Sequence, residues 1–540
     1  MRCRMCKQIS ETDICFPCSL DAEVYVEAKE VIVMVQESSK QLATVADAMV
    51  LKEAYANSVK IVCEHPFKTT PFAHQLKAWN LSKDAVEFAL FMDMGTGKSK
   101  VAIDTAAYLY MKGEIDTLVV LGNKGSYKNW VINEIPAHMP DCIPTLGTYW
   151  ESSPNLMLQT TYDMMGIPIK SLKIFVMNIE AVAFKKAFDV VSTIVSQNKT
   201  MIVIDESTTI KNEHAQRTKA AIKLGTMAKY RRILTGEPIS NSPLDIWAQA
   251  KFLSPGLLGF SSFFSFKSYY AKLGEMRSGY RQFKVVNGYK NLKELETNIA
   301  KWSFRIKKEE CLDLPPKVYQ TYTITMPPEQ KRMYDALKEE SAIALSAESI
   351  VTTPLAITKL LRLHQLACGH LVDDLGKVLT VNNNRISALQ EILEECSGKV
   401  IIWATYRKDI EMIANTIKKE YGDDSIVSYF GDTSIHDRED AVTEFQNRDS
   451  PVRFFLGNPK TGGYGLTLTA ATTVVYYSNN YELEVRLQSE DRCHRIGQTQ
   501  SVTYIDIVTE GTVDEKIIKA LRCKKKVSAE VLGDTWREWI

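Results

Sequence analysis

The sequence predicts an α/β protein built from two doubly wound parallel sheets. Its 540 residues are too many for one hydrophobic core, so we expect several domains. Short apolar segments alternate with helical stretches between residues 66 and 255, and the same alternation returns after residue 385. This order of elements is typical of parallel sheets, which bind ligands at the carboxyl ends of their strands.

The strand-like segments define two predicted lobes. Residues 66–255 form the first and residues 386–540 the second, while residues 256–385 are more helical and aromatic and lie between them. Residues 21–65 are expected to be a helical linker. No sequence repeat relates the two halves, so their similarity is architectural. The segments are FALFM, TLVVLG, KIFVMN, MIVIDE and RRILTG in the first lobe, and KVIIWAT, VRFFLGN, TTVVYYS and VTYIDIV in the second.

Composition and charge narrow the class of protein. Hydrophobic residues make up 45% and charged residues 24% of the chain, as in ordinary globular proteins. The net charge is +1, so any nucleic-acid contact must come from a local face. No apolar run reaches the length of a membrane span, and the first residues lack a signal-peptide core. We therefore expect a protein without membrane contact, located in the cytoplasm or in a nucleus.

Four of the 11 cysteines form two C-x-x-C pairs near the N-terminus. In a reducing compartment such pairs are typical of metal ligands rather than disulfides, and four thiolates suit tetrahedral zinc. The pattern predicts a structural zinc knuckle over residues 1–20, with Zn²⁺ as a cofactor. The alternatives are an unliganded tail or a redox pair. The predicted zinc ligands are Cys3, Cys6, Cys15 and Cys18.

The stretch 92-MDMGTGKS-99 matches a phosphate-binding loop except at its first position. Met92 stands where the pattern G-x-x-x-x-G-K-S/T asks for glycine, which changes the rim of the loop but not its glycine cradle. A strand-like segment precedes the loop and a helical one follows it, as phosphate binding by backbone N–H groups requires. Lys98 would contact the β- and γ-phosphates, and Ser99 would ligate Mg²⁺. The predicted nucleotide-binding residues are Met94, Gly95, Thr96, Gly97, Lys98 and Ser99.

An acidic pair follows in 201-MIVIDEST-208, at the end of an apolar strand-like segment. Asp205 would hold Mg²⁺ directly or through water, and Glu206 would orient and deprotonate the attacking water. The alternative is a surface Asp-Glu pair, which is common. A buried strand that leads directly into Asp-Glu, downstream of a phosphate loop, favours the catalytic interpretation.

These two motifs, with 234-LTGEPISNSPLDIW-247, resemble motifs I, II and III of helicase superfamily two in the form of the Swi/Snf-type ATPases. Other blocks resemble the same family, among them 118-LVVLGNKGSYKNWVINE-134, 399-KVIIWATYRKDIEMI-413, 462-GGYGLTLTAATTVVYY-477 and 486-RLQSEDRCHRIGQT-499. The resemblance spans about residues 66–530 and suggests a compact bacterial or viral member. It implies two RecA-like lobes, with ATP and Mg²⁺ as cofactors. Gln75, in 72-FAHQLKAW-79, matches the family's adenine-reading glutamine.

Four positions depart from the family pattern. Glu237 stands where the family usually has Thr, and Ser207-Thr208 replace the more frequent Ala-His or Gly-His after the acidic pair. Ser99 replaces Thr as a hydroxyl ligand. None of these departures removes a catalytic group, and Glu237 is a candidate for altered coupling between the ATP site and the DNA groove.

The block 486-RLQSEDRCHRIGQT-499 resembles motif VI and supplies two arginines to the predicted site. Arg492 and Arg495 are three apart on a predicted helix, so we expect them to share a face and to act as arginine fingers. Gln488, one turn earlier, would help to place the water or the phosphates. The alternative is a solvated basic helix.

The resemblance implies an ATP-driven motor that tracks along duplex or forked DNA, in replication, repair or recombination. The alternatives are an RNA-directed or polymerase-recycling motor, a nucleotide-sensing scaffold, and the motor subunit of a larger complex. A protein partner could bind the zinc knuckle. The expected DNA contacts are mainly to backbone phosphates. The candidates are Lys124, Ser126, Asn178, Thr405, Arg407, Thr461 and Gly463.

Overall fold

The structure is a computed structural model that describes residues 66–278, 281–347, 353–372, 377–431, 435–462 and 466–532. The four predicted zinc ligands, the linker 21–65 and Gly463 lie outside the described residues. Within the described ranges, no group of histidine, cysteine or acidic side chains could hold a metal ion by itself. None of the helices in these ranges is both long and apolar enough to cross a membrane.

The described residues form two compact units. One contains residues 66–90, Gly97–Leu234 and Ala248–Pro255. The other contains Phe91–Thr96, Thr235–Trp247 and the described residues between 256 and 532. The predicted phosphate loop is therefore divided between the two units after Thr96.

Seven strands form the first sheet, in the order β3-β4-β2-β5-β6-β1-β9. Strands β1 to β6 pair in parallel. Every residue of β2, TLVVLG, is buried, as expected for a strand covered on both faces. All five segments predicted for the first lobe are strands of this sheet. The strands are β1 Glu87–Met92, β2 Thr117–Gly122, β3 Thr145–Tyr149, β4 Leu172–Asn178, β5 Thr200–Asp205, β6 Tyr230–Leu234 and β9 Ser303–Ile306.

Helices alternate with these strands along the chain. The helix Lys185–Gln197 shows why they pack on the sheet, because Ala187, Val191, Ile194 and Val195 recur at helical spacing and are its buried residues. The helices of this part are α1 Ala73–Ser82, α2 Lys98–Met111, α3 Ile135–His138, α4 Leu156–Met165, α5 Lys185–Gln197, α6 Gln216–Met227 and α7 Ile246–Leu253.

Six strands form the second sheet, in the order β10-β17-β16-β13-β15-β14, and all five neighbouring pairs are parallel. Side chains alternate between two apolar clusters along β13: Val400 and Ile402 belong to one, Ile401 and Trp403 to the other. All four segments predicted for the second lobe are strands here. The strands are β10 Lys317–Ile324, β13 Lys399–Trp403, β14 Ile426–Tyr429, β15 Phe454–Gly457, β16 Ala471–Tyr476 and β17 Val502–Thr509.

These two sheets confirm the predicted α/β class with parallel strands. The remaining helices are α8 Phe263–Tyr270, α9 Leu292–Ala300, α10 Lys308–Cys311, α11 Pro328–Ala347, α12 Thr353–Ala367, α13 Arg385–Glu395, α14 Arg407–Tyr421, α15 Ile435–Gln446, α16 Pro459–Gly462, α17 Leu483–Glu490 and α18 Val513–Leu532.

Residues 256–385, expected to be mainly helical, also contribute strands. Strand β9 joins the first sheet and β10 the second. Two antiparallel hairpins lie in the same region, β7 Ala271–Ser278 with β8 Arg281–Tyr289, and β11 His370–Val372 with β12 Val378–Thr380. The lobe boundaries drawn near residues 255 and 386 remain a prediction.

Candidate active site

The predicted phosphate loop lies between β1 and α2. Gly95 has a φ of +76° and Gly97 a φ of +90°, a backbone conformation that glycine adopts without steric cost. Thr96, between them, donates its hydroxyl hydrogen to the Asp93 carbonyl at 2.7 Å. Helix α2 begins at Lys98, directly after Gly97. Because the first N–H groups of a helix have no partner within it, this end of α2 suits an anion.

Gln75 of α1 lies against Gly97. Gln75 is buried, and its Oε1 accepts a hydrogen bond from the Phe72 backbone N–H at 3.0 Å. A Cβ built on Gly97 would lie 3.1 Å from Gln75 Cδ, which is closer than ordinary contact. Two features therefore favour glycine at this position: its positive φ and the close approach of the Gln75 side chain.

The acidic pair follows β5. Asp205 is the last residue of the strand, and Glu206 has a φ of +55° and a ψ of 67°. Among the described non-glycine residues, only Glu206 and Asn291 have positive φ. This conformation costs free energy in a non-glycine residue, and such strain is common at functional sites. The strained backbone falls on the residue predicted to act as the general base.

Three groups lower the pKa of Asp205 and so oppose the effect of burial. Burial raises the pKa of Asp205, while a hydrogen bond from Trp130, the charge of Lys98 and the backbone N–H of Glu206 favour the charged form. The Trp130 indole Nε1–H donates to Asp205 Oδ2 at 2.9 Å. Because its pKa is still raised overall, the ionised form of Asp205 would be stabilised by a nearby cation.

The residues present fit Mg²⁺. The hydroxyl of Ser99 and the carboxylate of Asp205 are hard oxygen donors, the type that Mg²⁺ prefers, and Mg²⁺ binds commonly through one or two such groups together with phosphate oxygens. The raised pKa of Asp205 agrees with a carboxyl group whose charged form a cation would stabilise. Within the described ranges, no cluster of protein ligands could hold a metal ion without such a phosphate.

Ser207, one of the departures from the family pattern, is fully buried. Its hydroxyl donates to Gln249 Oε1 at 2.7 Å, and Gln249 is itself fully buried on α7. This hydrogen bond connects the residue after the acidic pair to the helix that follows motif III.

The helix predicted to carry Arg492 and Arg495 ends earlier, so that prediction was wrong. Helix α17 stops at Glu490, and both arginines lie in the turn that follows. They nevertheless converge, because Arg492 Nη1 and Arg495 Nη1 both donate to the Leu466 carbonyl, at 3.3 and 3.0 Å. Arg492 Nε also donates to the Gln488 carbonyl at 2.9 Å.

The same turn lies beside residues of the phosphate loop that belong to the second unit. Arg492 Nη2 is 3.4 Å from the Sδ atom of Met94, and a Cβ built on Gly95 would lie 3.8 Å from Arg495 Cβ. Gln488 is buried, and its Nε2 donates to Glu484 Oε1 at 3.3 Å. The roles predicted for these three motif VI residues remain predictions.

Two lysines that sequence reasoning missed hold the motif VI turn. Lys308 is buried, and its Nζ lies 2.9 Å from Asp491 Oδ1 and 2.8 Å from the His494 carbonyl. Lys317 Nζ lies 3.1 Å from Glu490 Oε2 and 3.3 Å from Asp491 Oδ1. Both lysines belong to 304-FRIKKEECLDLPPK-317, and nothing in that stretch of sequence indicates their partners.

The charges of this cluster shift one another. Burial lowers the pKa of Lys308, and Asp491 opposes that effect. Although burial alone would raise the pKa of Glu490, the charges of Lys317 and Arg486 lower it to about 2. Lys308 and Lys317 likewise hold the pKa of Asp491 well below its usual range despite burial. The turn that carries the two arginines is thus held by the ion pairs of Lys308 and Lys317 with Glu490 and Asp491.

Glu237, the departure in motif III, is bonded to side chains distant in sequence. Its carboxylate accepts a hydrogen bond from the Ser528 hydroxyl of α18 and lies 4.0 Å from Arg305 Nη2. Lys524, one turn earlier on α18, donates to Asn241 Oδ1 at 2.8 Å. The C-terminal helix therefore contacts the motif III turn at two points.

The candidate DNA contacts are spread over several loops. Lys124 and Arg407 are exposed, whereas Thr405 bonds within the protein: its backbone N–H donates to Ser478 Oγ at 2.8 Å and its hydroxyl to the Ser478 carbonyl at 3.1 Å. Ser126, Asn178 and Thr461 are half-buried. The DNA contacts at these positions remain predictions.

A phosphate loop, an acidic pair and paired arginines are the features on which a helicase-like ATPase was predicted. Family models match the chain over most of its length: the SNF2-related domain over residues 71–370 and the helicase conserved C-terminal domain over residues 384–497. The chain belongs to the SNF2-related family, and these domains indicate an ATP hydrolase.

Curated relatives agree with this family. The chain is 28% identical over 383 residues to the TATA-binding protein-associated factor MOT1 of Saccharomyces cerevisiae, covering 61% of this chain and 20% of that protein. It is 25% identical over 473 residues to a probable chromatin-remodeling complex ATPase chain of Oryza sativa, covering 84% of this chain and 39% of that protein. This chain thus spans well under half the length of these relatives.

A solved structure also matches. The Sulfolobus solfataricus SWI2/SNF2 ATPase core in complex with dsDNA is 24% identical, with a TM-score of 0.39, over 88% of this chain and 96% of that one.

Proposed function

We propose that this protein is a DNA-dependent ATPase that moves along duplex or forked DNA. Membership of the SNF2-related family gives the ATP hydrolase. The DNA dependence, the movement and a setting in replication, repair or recombination belong to the proposal. So do the zinc knuckle, a protein partner bound through it, and the placement among compact bacterial or viral members.

In the proposed reaction, water attacks the γ-phosphorus of ATP and the bond to the β–γ bridging oxygen breaks. Glu206 orients the water and takes its proton. Lys98 and the N-terminal end of α2 bind the phosphates, and Gln75 contacts the adenine. Magnesium, held by Ser99 and Asp205, would neutralise charge on the phosphate oxygens.

One observation carries the hydrolytic part of this proposal. The guanidinium groups of Arg492 and Arg495 converge on the carbonyl of Leu466. The Arg492 guanidinium lies beside Met94 of the phosphate loop, and Arg495 Cβ faces Gly95. Cations placed there would stabilise the charge that develops on the γ-phosphoryl oxygens. The presence of Glu206, Arg492 and Arg495 argues against a protein that only senses nucleotide.

Support for DNA as the partner comes from relatives. MOT1 and the rice protein are named as a TATA-binding protein-associated factor and a chromatin-remodeling ATPase chain. The net charge of +1 means that contact with backbone phosphates must be local, in the loops that carry residues such as Lys124 and Arg407.

Steady-state ATP hydrolysis tests the proposal. The rate is measured without nucleic acid, then with single-stranded DNA, blunt duplex, forked duplex and RNA, for the wild type and for Lys98→Ala and Glu206→Gln. We expect duplex or forked DNA to increase the rate and both substitutions to abolish it. Displacement of a third strand from a DNA triplex would then report movement along the duplex.

Two results would overturn the proposal. Stimulation by RNA alone would indicate an RNA-directed motor. ATP binding without turnover under every condition would indicate a nucleotide-sensing scaffold, or a motor subunit that needs its complex.

A further inference from the structure

Trp130 makes a hydrogen bond to the carboxylate predicted to hold magnesium. Its side chain is 2% exposed, and its indole Nε1–H lies 2.9 Å from Asp205 Oδ2. The two residues are 75 positions apart in the sequence. An indole N–H can only donate, so its pairing with a carboxylate oxygen is directional and favours the ionised acid.

The sheet brings this pair together. Strands β2 and β5 are parallel neighbours, with Leu121 beside Ile204, so Gly122 at the end of β2 lies near Asp205. A Cβ on Gly122 would lie 3.4 Å from Tyr127 Cβ and 3.9 Å from Asp205 Cβ. The glycine thus allows the segment after β2 to pass close over the strand ends.

That segment is fixed at both ends of a short turn. The buried Tyr127 hydroxyl donates to the Trp150 carbonyl at 3.0 Å. The backbone N–H of Trp130 donates to the Tyr127 carbonyl at 3.2 Å. Residues Trp130–Glu134 then form one turn of π-helix before α3. A π-turn is uncommon and is found often at functional sites. Here it places the indole over the end of β5.

We infer that Trp130 is a positioning residue for the magnesium site, acting through the carboxylate of Asp205. The inference rests on the proposed function, because it assigns Asp205 to magnesium. A ligand carboxylate whose orientation is set by an outer hydrogen bond binds its metal more tightly, and removal of such a partner typically costs 10–100-fold in metal affinity or activity.

The test measures nucleotide binding and not turnover alone. Binding of fluorescently labelled AMPPNP to the full chain is titrated in EDTA and over a series of Mg²⁺ concentrations. Trp130→Phe keeps an aromatic ring and removes the donor. We expect its half-saturating Mg²⁺ concentration to rise by about tenfold or more, while binding in EDTA stays within about twofold of the wild type.

Trp79→Phe is the matched control. Trp79 is also a buried tryptophan of the first unit, but its indole N–H has no hydrogen-bond partner. Its replacement should leave the Mg²⁺ requirement unchanged. A third chain carries Asp205→Asn, alone and with Trp130→Phe. If Trp130 acts through Asp205, the tryptophan substitution should add nothing on the Asp205→Asn background.

A variant that fails to fold is replaced by a chain with benzothienylalanine at position 130, which preserves the ring shape and lacks the N–H. An unchanged Mg²⁺ requirement in either folded variant would overturn the inference, as would equal effects of Trp130→Phe and Trp79→Phe. These results are separate from the proposed function, which fails if the wild type shows no DNA-stimulated hydrolysis.

Discussion

Replacing Lys308 should loosen the turn that carries the two motif VI arginines. The ammonium group of Lys308 lies between the Asp491 carboxylate and the His494 carbonyl, at 2.9 and 2.8 Å. Only 5% of the Lys308 side chain and 15% of the Asp491 side chain are exposed. Lys308→Met keeps most of the side-chain volume and removes the charge, which leaves Asp491 with one ion-pair partner fewer.

The expected loss of stability follows from this burial. Removing one partner of a buried ion pair costs about 3–5 kcal/mol, because the remaining charge loses its compensation. Asp491 retains Lys317 at 3.3 Å, so we expect the lower end, about 3 kcal/mol. At roughly 2 °C per kcal/mol for a domain of this size, the melting temperature of the second unit should fall by about 6 °C.

Scanning calorimetry of the full chain measures this change, and ATP hydrolysis measures its catalytic consequence. We expect kcat to fall by more than KM for ATP rises, because the arginines act on the transition state. Lys301→Met is the control, since Lys301 is exposed and its ammonium group donates to Asn298 Oδ1 at 3.0 Å, three residues earlier in the chain. A melting temperature within 1 °C of the wild type, or additive effects of Lys308→Met and Asp491→Asn, would refute the reasoning.

Three further predictions follow from single contacts. Gly97→Ala forces a φ of +90° on alanine and brings its Cβ against Gln75. We therefore expect the Kd for ATP to rise by about tenfold or more. An unchanged Kd in equilibrium binding would contradict this. The buried ion pairs of Glu490 lower its pKa from 4.5 to about 2 despite its burial. The free energy of unfolding should therefore fall by about 3 kcal/mol as the pH is lowered from about 4.5 toward 2. Urea unfolding at several pH values measures this loss and its sign. Ser528→Ala removes the donor to Glu237 and should cost about 1.5 kcal/mol; calorimetry showing no loss would mean that this bond contributes nothing.

The sequence was sufficient for the parallel-sheet class because the central strands are continuous apolar runs. Segments such as TLVVLG and KVIIW are buried on both faces, so their composition alone marks them. The strands at the sheet edges lack such an apolar run. Strand β9 has four residues, and β10, KVYQTYTI, is mostly exposed or half-buried along its length. Short and polar edge strands are common, and they lack the apolar run on which the prediction depended.

The helix expected around Arg492 and Arg495 shows how tertiary contacts override local periodicity. The spacing of three fits a helix, but the Arg492 carbonyl accepts a hydrogen bond from the Leu468 N–H at 2.9 Å instead of continuing α17. The arginines still converge, because both donate to the carbonyl of Leu466. The expectation that they act together as arginine fingers stays a prediction.

Residues that support the candidate site come from parts of the chain that no motif spacing connects. Trp130 reaches Asp205, and Lys308 reaches Asp491, across 75 and 183 positions, so only the folded sheets reveal these pairs.

Two of the residues that depart from the family pattern also have partners distant in sequence. Ser207 donates to the buried Oε1 of Gln249, and Glu237 accepts from Ser528. An alanine at position 207 would remove the hydroxyl that donates to Gln249, and the loss of one such hydrogen bond costs about 0.5–1.5 kcal/mol. Each unusual residue is therefore matched by a second residue elsewhere in this chain, so restoring the family's usual residue at either position alone should weaken the protein rather than improve it.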